Sequence, residues 1–228
     1  MKYLMDTHTV YPLKLRNRKA INFTYLIVDH HTRQVAIIDP SWELDKIEST
    51  LHMVNGHLTT ILLTHSHYDH VNLVNRLLEK YNPQVYLSQQ EIHFYNFECD
   101  NLHPFEDNEV IMLGDTQISC MLTPGHTYGS ACFLISNHLF TGDTIFIEGC
   151  GICTTVGGDP EQMFHSIQRI KSAINPKVQI FPGHSFGKNP GYTLDYLLKQ
   201  NIYFQFINKE HFIMFRMRKG QKNLFNFC

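Results

Sequence analysis

The chain has 228 residues, of which 43% are hydrophobic, and it contains 16 phenylalanines. This length predicts one large domain, or one domain with a small appendage, and enough apolar side chains to bury a sizeable core. The formal net charge is −2 with histidine neutral. The chain therefore lacks the overall basic excess that would indicate nucleic acid or a membrane surface as a partner.

The N-terminal segment has none of the features of a targeting sequence. Residues 1–19 lack the apolar stretch and the small-residue cleavage site of a secretory signal. No uncharged apolar run approaches the roughly 18 residues of a transmembrane helix. The six cysteines lack the dense pairing of a secreted scaffold, so we expect reduced thiols and a cytoplasmic protein. Cys150 and Cys153 form one C-x-x-C pair, which leaves a cysteine metal site as a disfavoured alternative.

The first part of the chain predicts alternating strands and helices. Residues 21–29 and 34–40 have the composition of two strands joined by a polar turn. A helix is predicted over 42–55, because apolar residues recur there at spacings of three and four before Gly56. Residues 59–64 form a short, wholly apolar strand of the kind that is buried on both faces.

The later elements continue this alternation. A helix opened by Asp69 precedes a strand at 84–88, and SQQE at 88–91 resembles a capping box that begins another helix. Further strands are predicted at residues 109–113, 116–123, 130–135 and 138–143. A capping aspartate followed by proline predicts a helix over 160–174, and 177–184 is the last clear strand. This order predicts helices on both faces of paired sheets.

Beyond about residue 190 the sequence becomes helical in its spacing and rich in aromatic residues. No repeat, low-complexity segment or long linker separates this part from the rest. We therefore predict one domain over residues 1–190 and a helical, aromatic tail over 191–228 that packs on the same domain.

The segment ILLTHSHYDHVNL, residues 61–73, carries the main chemical signal. It places His65, His67, Asp69 and His70 directly after an apolar strand. Alternate side chains of an extended segment point the same way, so His65 and His67 can address one ion together. The turn into the next helix brings Asp69 and His70 to a neighbouring point. Because open α/β sheets bind ligands at the carboxyl ends of their strands, this segment predicts a metal site.

Three later turns offer further ligands. His126, Asp143 and His184 each follow an apolar strand and lie beside glycine, which lets the backbone approach a crowded site. Each of them alone is typical of an ordinary turn or cap residue. Together with the histidine-rich segment they predict more than one coordination shell.

The order HxHxDH, GH, GD and GH resembles the metallo-β-lactamase superfamily, and GDTIFIEGCG (142–151) with FPGH (181–184) resembles its glyoxalase II-like hydrolases. The resemblance implies an α/β (α+β) fold, a four-layer αββα sandwich with a binuclear metal site at one sheet edge. The implied ligands are His65, His67 and His126 for the first metal, Asp69, His70 and His184 for the second, and Asp143 bridging the two. Asp39 matches an aspartate that orients ligand imidazoles, although a strand-end turn would also explain it.

The resemblance also implies the chemistry. It implies two Zn²⁺ per chain, with Fe or Mn as alternatives in one or both sites. It further implies that a metal-bridging hydroxide hydrolyses an acyl thioester, with Asp69 orienting the water or taking its proton. A thioester suits such a site because its thiol leaving group, with a pKa of about 8.5, needs no strong general acid.

The carrier of the acyl group is suggested by a second resemblance. Relatives that recognise glutathione carry a basic residue after GCG, whereas Ile152 stands there in this chain, which argues against a glutathione thioester. The amino-acid sequence of the whole chain, notably LKLRNRKAINFTYLIVDH and NIYFQF, resembles the zinc-dependent hydrolases of bacterial trans-acyltransferase polyketide pathways. That resemblance implies acyl carrier protein as the partner, with removal of acyl groups from its phosphopantetheine.

The basic segment FRMRKGQKNLF (215–225) has two interpretations. It forms either a solvated face or a contact for a phosphate or an acidic carrier protein, and Lys219 and Lys222 are the candidate substrate contacts. The alternative functions are a glyoxalase II-type hydroxyacylglutathione hydrolase and an iron-dependent sulfur (persulfide) dioxygenase. No nucleic acid or membrane partner is expected, and the sequence leaves the oligomeric state open.

Overall fold

The computed structural model describes residues 7–18 and 20–220. Its strands are β1 (His8–Asn17), β2 (Ala20–Asp29), β3 (Gln34–Ile38), β4 (His57–Leu62), β5 (Gln84–Ser88), β6 (Leu102–Phe105), β7 (Val110–Leu113), β8 (Thr116–Leu122), β9 (Ala131–Ile135), β10 (His138–Gly142), β11 (Ile145–Phe146), β12 (Gly149–Cys150) and β13 (Gln179–Pro182). Its helices are α1 (Leu44–Met53), α2 (Tyr68–Val71), α3 (Val74–Tyr81), α4 (Gln89–Tyr95), α5 (Pro160–Ala173), α6 (Leu194–Gln200) and α7 (Lys209–Arg216), with a 3₁₀ turn at Ile202–Gln205.

The strands form two main sheets. The first has the spatial order β1-β2-β3-β4-β5-β6, and the second has the order β13-β10-β9-β8-β7, while β11 and β12 make a small separate ladder. In the first sheet β3, β4, β5 and β6 are parallel, whereas β1, β2 and β3 are antiparallel neighbours. In the second sheet only the β10–β13 pair is parallel.

The two sheets face each other across an apolar layer. Along β2, Phe23, Tyr25 and Ile27 point into this layer and meet Phe133 and Phe140 of the second sheet. Side chains alternate across a strand, so the intervening residues of β2 point to the opposite face. Because Leu26 and Val28 point to that opposite face, β2 contributes apolar side chains on both of its faces.

The outer faces of the sheets are covered by helices. Leu26 of β2 packs in one apolar cluster with Ile47 of α1 and Leu77 of α3. On the second sheet, Leu139 of β10 packs in another cluster with Ile167 of α5. The sequence of layers is therefore helices, sheet, sheet and helices, which confirms the predicted four-layer αββα sandwich.

The C-terminal helices lie on the α5 side. Leu194 and Leu197 of α6 and Phe212 of α7 are fully buried in the cluster that contains α5. The division of the chain at residue 190 stays a prediction, since part of 191–228 lies outside the described residues. Among the residues that are described, no helix is both long enough and apolar enough to cross a membrane.

The structure differs from the sequence prediction in a few elements. The helix predicted from Asp69 onward is split into α2 and α3, because the side chain of Asn72 accepts a hydrogen bond from the Trp42 amide at 2.9 Å and Leu73 N–H donates to the Pro40 carbonyl. The strands β1, β6, β11 and β12 were not predicted. β1 contains Pro12, which a strand accommodates here because β1 lies at the sheet edge.

Candidate metal centre

Four chain segments meet at one edge of the facing sheets. β4 is parallel to β3, so the segment that begins at His65 emerges beside Asp39. In the second sheet β8 and β10 are both antiparallel to β9, and β13 is parallel to β10. The carboxyl ends of β8, β10 and β13 therefore lie at one edge and lead to His126, Asp143 and His184. The strand directions alone bring distant parts of the sequence to one place.

The structure brings all seven predicted ligands together. His65, His67 and His126 each offer a ligand atom, and these atoms lie within 4.8 Å of one another. Within this group His67 Nδ1 lies 3.0 Å from His126 Nε2. A second group with the same spacing consists of Asp69, His70 and His184. These groups match the two predicted coordination shells, while their role as metal ligands stays a prediction.

Asp143 lies between the two groups. Its Oδ2 atom is 3.6 Å from His126 Nε2 in the first group and 3.4 Å from His184 Nε2 in the second. Its Oδ1 atom is 3.5 Å from His70 Nε2. A carboxylate with one oxygen shared by both groups has the position that a bridging ligand requires.

Backbone carbonyls orient two of the imidazoles. His126 Nδ1–H donates to the Ile152 carbonyl at 2.8 Å, and His184 Nδ1–H donates to the Ile21 carbonyl at 2.6 Å. Because a carbonyl can only accept, the proton of each neutral ring must lie on Nδ1. The lone pair on Nε2 is then directed at the centre, as in metal-ligating histidines.

Asp39 orients a third imidazole from beneath the site. Its Oδ2 atom accepts from His70 Nδ1 at 3.0 Å and from Thr64 Oγ1 at 2.7 Å, and its Oδ1 atom accepts from the Thr64 amide at 2.8 Å. Thr64 Oγ1 in turn lies 3.0 Å from His65 Nδ1. Asp39 is nearly fully buried and adopts φ +51, so it is both a turn residue and an anchor for the ligand segment.

Three buried atoms of the centre have no hydrogen-bond partner among the described residues. They are His65 Nε2, His70 Nε2 and Asp143 Oδ1. An unsatisfied buried polar atom costs about 1–3 kcal/mol, so native proteins rarely leave one, and three at one point call for a ligand. All three belong to the predicted ligands and face the same centre, so the residues fit a bound cation.

The histidines of the first group are held neutral. Burial lowers the pKa of His65 well below its ordinary value, and the neighbouring histidines act in the same direction. Burial also lowers the pKa of His126 to about 4, although the Asp143 carboxylate opposes it. Both rings therefore keep a lone pair at neutral pH, which coordination of a metal requires.

The second group instead concentrates negative charge. Burial would lower the pKa of His70 and of His184, but the carboxylates of Asp69 and Asp143 outweigh it and raise these pKa values to about 9 and about 10. Burial would raise the pKa of both carboxyl groups, yet the charges on His70 and His184 hold them well below the ordinary range. Two carboxylates at this point attract positive charge, which protons supply when no metal is bound.

Close backbone approach at the centre depends on glycine. A Cβ atom on Gly183 would lie 2.6 Å from His70 Cε1 and 2.7 Å from Asp143 Oδ1. A Cβ atom on Gly142, which has φ +46, would lie 2.2 Å from Thr64 Oγ1. The predicted need for glycine beside Asp143 and His184 thus has a steric cause.

A pocket of about 530 Å³ opens from the centre. Its floor includes His67, Asp69, His126, Asp143 and His184. Its walls are mainly apolar and aromatic, and they include Phe146, Ile152, Phe186, Ile202, Tyr203 and Phe215. Arg216 and Arg218 add positive charge to the lining, and Glu148 adds a carboxylate. Such a pocket fits a substrate with an apolar arm and an anionic end.

The two lysines predicted as substrate contacts, Lys219 and Lys222, are not found in the pocket lining that the structure describes. Lys219 is exposed and is not among the described residues that line the pocket, and Lys222 lies outside the described residues. Arg218, from the same basic segment, lines the pocket with its guanidinium 3.8 Å from the centroid of the Phe215 ring. Arg216 is buried and donates to Tyr203 Oη at 3.0 Å. A role for Lys219 and Lys222 in substrate binding stays a prediction.

Asn22 is a site residue that the sequence did not reveal. Its Nδ2 atom donates to Asp69 Oδ2 at 3.0 Å and to the Asp69 carbonyl at 2.9 Å, and its Oδ1 atom accepts from Trp42 Nε1 at 2.7 Å. Asn22 thereby holds the Asp69 carboxylate from the side of the first sheet. It lies within a strand pattern, where nothing local indicates such a contact.

The C-x-x-C pair is part of the core. Cys150 and Cys153 are both buried, and no cysteine belongs to a potential metal-binding group among the described residues. Burial raises the pKa of Cys153 to about 11 and that of Cys150 well above its ordinary value, so both remain thiols. Cys150 packs in the core and also borders the pocket.

Comparison with known proteins agrees with this geometry. The family model described as "Metallo-beta-lactamase superfamily" matches residues 19–184. The chain is 51% identical over 221 residues to the probable polyketide biosynthesis zinc-dependent hydrolase PksB of Bacillus subtilis, a match that covers 97% of this chain and 98% of PksB. It is 52% identical, with the same coverage, to the probable polyketide biosynthesis zinc-dependent hydrolase BaeB of Bacillus velezensis.

More distant relatives share the fold. A hydroxyacylglutathione hydrolase of Pelagibacter ubique is 36% identical over 73% of this chain and 68% of its own length. The crystal structure of ETHE1 from Myxococcus xanthus superposes with a TM-score of 0.81 at 25% identity and covers 93% of this chain and 92% of its own.

Proposed function

This chain belongs to the metallo-beta-lactamase superfamily, and on that premise we propose that it is a zinc-dependent hydrolase that cleaves acyl thioesters on acyl carrier protein in polyketide biosynthesis. The observation that carries the proposal is the set of seven histidine and aspartate side chains at one sheet edge, with three buried ligand atoms that lack a hydrogen-bond partner among the described residues. The names of the two Bacillus relatives support both zinc and the polyketide setting.

Two metal sites are proposed from the grouping of the side chains. His65, His67 and His126 would hold one ion, and Asp69, His70 and His184 would hold the other, with Asp143 between them. Bound zinc at such a site lowers the pKa of a coordinated water from 15.7 to about 7 and polarises a carbonyl oxygen.

We propose that Asp69 orients the attacking water. Its side chain is about a third exposed and lines the pocket, unlike the nearly buried His70 and His184 beside it. Neighbouring charges keep it ionised, so at neutral pH it acts only as a hydrogen-bond acceptor. Asn22 fixes one of its oxygens at 3.0 Å, which limits how the carboxylate can rotate.

The reaction that fits this pocket is hydrolysis of a thioester. The water oxygen bonds to the acyl carbon, the C–S bond breaks, and the sulfur leaves as thiolate with the bonding pair. Of the two protons of the water, one ends on the thiolate, which becomes a thiol, and the other is released to solvent as the product acid ionises. The low pKa of a thiol, about 8.5, removes the need for a general acid beside the sulfur.

The pocket lining favours a pantetheine arm over glutathione. Ile152 forms part of the wall at the position where glutathione-recognising relatives carry a basic residue, so a glutathione carboxylate would find an apolar surface there. The phosphopantetheine arm carries its anionic phosphate at one end, and the arginines of the lining supply positive charge for such a group.

Metal analysis combined with a matched substrate panel tests the proposal. We expect about two zinc ions per chain and faster hydrolysis of acetyl groups on acyl carrier protein than on glutathione. We expect His65→Ala and Asp143→Ala to lose both metal and turnover, because each removes a ligand. Retained thioesterase activity after these substitutions, with metal lost, would contradict the proposal.

The same panel separates the alternative functions. Preference for acetylglutathione would instead favour a hydroxyacylglutathione hydrolase such as the Pelagibacter relative. One iron per chain, no thioester turnover and oxygen uptake with a persulfide would favour a sulfur dioxygenase.

The predicted role of the exposed lysine has its own test. If Lys219 contacts the carrier protein, Lys219→Glu raises KM for acyl carrier protein substrates and leaves KM for a pantetheine analogue unchanged. An unchanged KM for both substrates would remove Lys219 from carrier recognition.

A further inference from the structure

We infer that Glu91 is a positioning residue of the metal centre, because its buried carboxylate ties the segment that carries His65 and His67 to the loop that carries His126. The inference rests on the proposed function, since it takes these three histidines as the ligands of one metal. Glu91 does not belong to either ligand group and was not among the residues that the sequence singled out for chemistry.

The contacts of Glu91 divide evenly between the two segments. Its Oε1 atom accepts from the Ser66 amide at 2.9 Å and from Ser66 Oγ at 2.7 Å. Its Oε2 atom accepts from Thr127 Oγ1 at 2.8 Å and from the Gly129 amide at 2.8 Å. Ser66 lies between His65 and His67 in the chain, and Thr127 directly follows His126. One carboxylate thus fixes the backbone beside all three ligands.

Helix capping does not account for this carboxylate. Glu91 is the third residue of α4, and its amide donates to Oγ of the N-cap residue Ser88 at 3.1 Å, as the SQQE pattern predicts. In a capping box the glutamate side chain would return to the N-cap amide. Here its hydrogen bonds instead reach two other segments of the chain.

The burial of Glu91 makes its four bonds necessary. Its side chain is fully buried, and none of the ion pairs in the described part of the chain includes it. A buried carboxylate is costly unless charge-assisted hydrogen bonds satisfy it. All four donors are neutral groups, two from each segment. If either segment moves away, one carboxylate oxygen loses both of its hydrogen bonds.

The loop after His126 is also held by shape. Ser88 Oγ donates to the Gly129 carbonyl at 2.5 Å, and a Cβ atom on Gly129 would lie 2.2 Å from the Glu91 amide nitrogen. The loop therefore packs directly on the first turn of α4 and cannot shift without breaking these contacts. A change at Glu91 reaches His126 through Thr127 and Gly129.

Glu91→Gln tests the inference in the full chain. An amide has one acceptor oxygen, so in either orientation its NH₂ group faces the donors of one segment and pushes that segment away. We measure Zn²⁺ affinity by competition with a chromophoric chelator, and we record the visible spectrum of the Co²⁺-substituted protein. Loss of a residue that orients metal ligands weakens metal affinity by about 10–100-fold.

Asp29→Asn is a matched control at a distant point of the fold. Asp29 is likewise fully buried and accepts from the Thr32 amide, Thr32 Oγ1, Thr116 Oγ1 and the Asp115 amide. It lies at the opposite end of β2 from Asn22, which contacts the centre. Both substitutions remove one acceptor from a buried carboxylate that joins two segments, but only Glu91 adjoins metal ligands.

The expected result is a selective effect. Glu91→Gln weakens the affinity for one of the two Zn²⁺ equivalents at least tenfold and alters the Co²⁺ spectrum, while the other equivalent changes less than threefold. Asp29→Asn leaves both affinities and the spectrum unchanged, whatever it does to the stability of the metal-free protein. Unchanged affinities in a folded Glu91→Gln protein would overturn the inference and reduce Glu91 to a structural residue.

Smaller changes keep the test valid if Glu91→Gln does not fold. Thr127→Val keeps the branched shape and removes one donor to Oε2, and Ser66→Ala removes one donor to Oε1. Weaker binding of the same Zn²⁺ equivalent in either folded variant supports the inference, and unchanged binding in both overturns it. Absence of zinc binding in the unaltered protein would refute the proposed function itself, so the two failures are distinguishable.

Discussion

Asp39→Asn perturbs the second half of the centre without replacing a proposed ligand. Its carboxylate accepts from His70 Nδ1, Thr64 Oγ1 and the Thr64 amide at 3.0, 2.7 and 2.8 Å. Asparagine tolerates the left-handed φ of +51 as aspartate does, so the backbone need not change. In either orientation of the new amide, however, its NH₂ group faces a donor.

The magnitude follows from these contacts. If the NH₂ group faces His70, the imidazole proton moves from Nδ1 to Nε2, and the atom that should bind metal then carries a proton. If the NH₂ group faces the Thr64 amide, a buried donor is left unsatisfied at a cost of about 1–3 kcal/mol. Loss of such an orienting partner weakens metal binding about 10–100-fold, which corresponds to about 1.4–2.8 kcal/mol.

The assay is Zn²⁺ titration of the unaltered and Asp39→Asn proteins in competition with a chelator. We expect the equivalent assigned to Asp69, His70 and His184 to weaken most, because Asp39 contacts His70 directly, and the equivalent assigned to the three-histidine group to weaken less, because Asp39 reaches His65 only through Thr64. Circular dichroism controls for loss of fold. Two unchanged affinities in a folded Asp39→Asn protein would show that Asp39 only shapes the turn and would refute the reasoning.

Three further outcomes are expected. Gly183→Ala places a methyl group 2.6 Å from His70 Cε1 and 2.7 Å from Asp143 Oδ1. The metal content, measured by elemental analysis, should therefore fall below two per chain, and the free energy of unfolding, measured with denaturant, should fall by about 1–3 kcal/mol. Removal of metal by a chelator should lower Tm by about 5–10 °C in calorimetry, since a ligand at 100 times its Kd stabilises by about 2.7 kcal/mol; an unchanged Tm would mean that no metal binds the folded state. Ile152→Arg should raise kcat/KM for acetylglutathione at least about tenfold relative to an acetyl pantetheine analogue, because a new charge-assisted hydrogen bond contributes about 1.5–3 kcal/mol; an unchanged ratio would remove Ile152 from substrate discrimination.

Much of the fold was predictable because its signals are local. The strand β5 has the predicted bounds, 84–88, and α5 begins at Pro160 after a capping Asp159 that accepts from two backbone amides. The β1 strand escaped prediction because its inward residues, Leu13 and Leu15, alternate over only a few positions around Pro12. The two-residue strands β11 and β12 are too short for any periodic pattern.

The ligands themselves were predictable for the same reason. Each proposed ligand stands in the turn that follows an apolar strand or, for Asp69 and His70, in the short helix α2 directly after such a turn, and these features occur in consecutive residues. The directions of the strands in the two sheets are then enough to bring these turns to one edge. The grouping into two sets came from the family resemblance. Two of the groups that the interatomic distances define match these sets, and a third joins His65 and His70 to Asp39.

The residues that support the ligands were harder to predict, because they contact the centre from distant parts of the sequence. Asn22, Asp39 and Glu91 reach the centre from 47, 31 and 25 residues away in the chain, measured to Asp69, His70 and Ser66. A sequence pattern records neighbours within a few positions, so SQQE correctly indicated a helix start and could not indicate where the Glu91 carboxylate goes. Asp39 was accessible only through resemblance.

The two buried carboxylates divide the support of the centre between them. Asp39 follows β3 of the first sheet, contacts His70 directly and reaches His65 only through Thr64, whereas Glu91 joins the first sheet's ligand segment to the loop that carries His126 from the second sheet. No covalent bond at the centre links the four segments to one another, so packing and hydrogen bonds between the segments must fix their relative positions. The zinc equivalent that Asp39→Asn weakens most should therefore differ from the one that Glu91→Gln weakens most. Loss of the same equivalent in both variants would mean that the centre responds as one unit, and the assignment of each carboxylate to one half would be wrong.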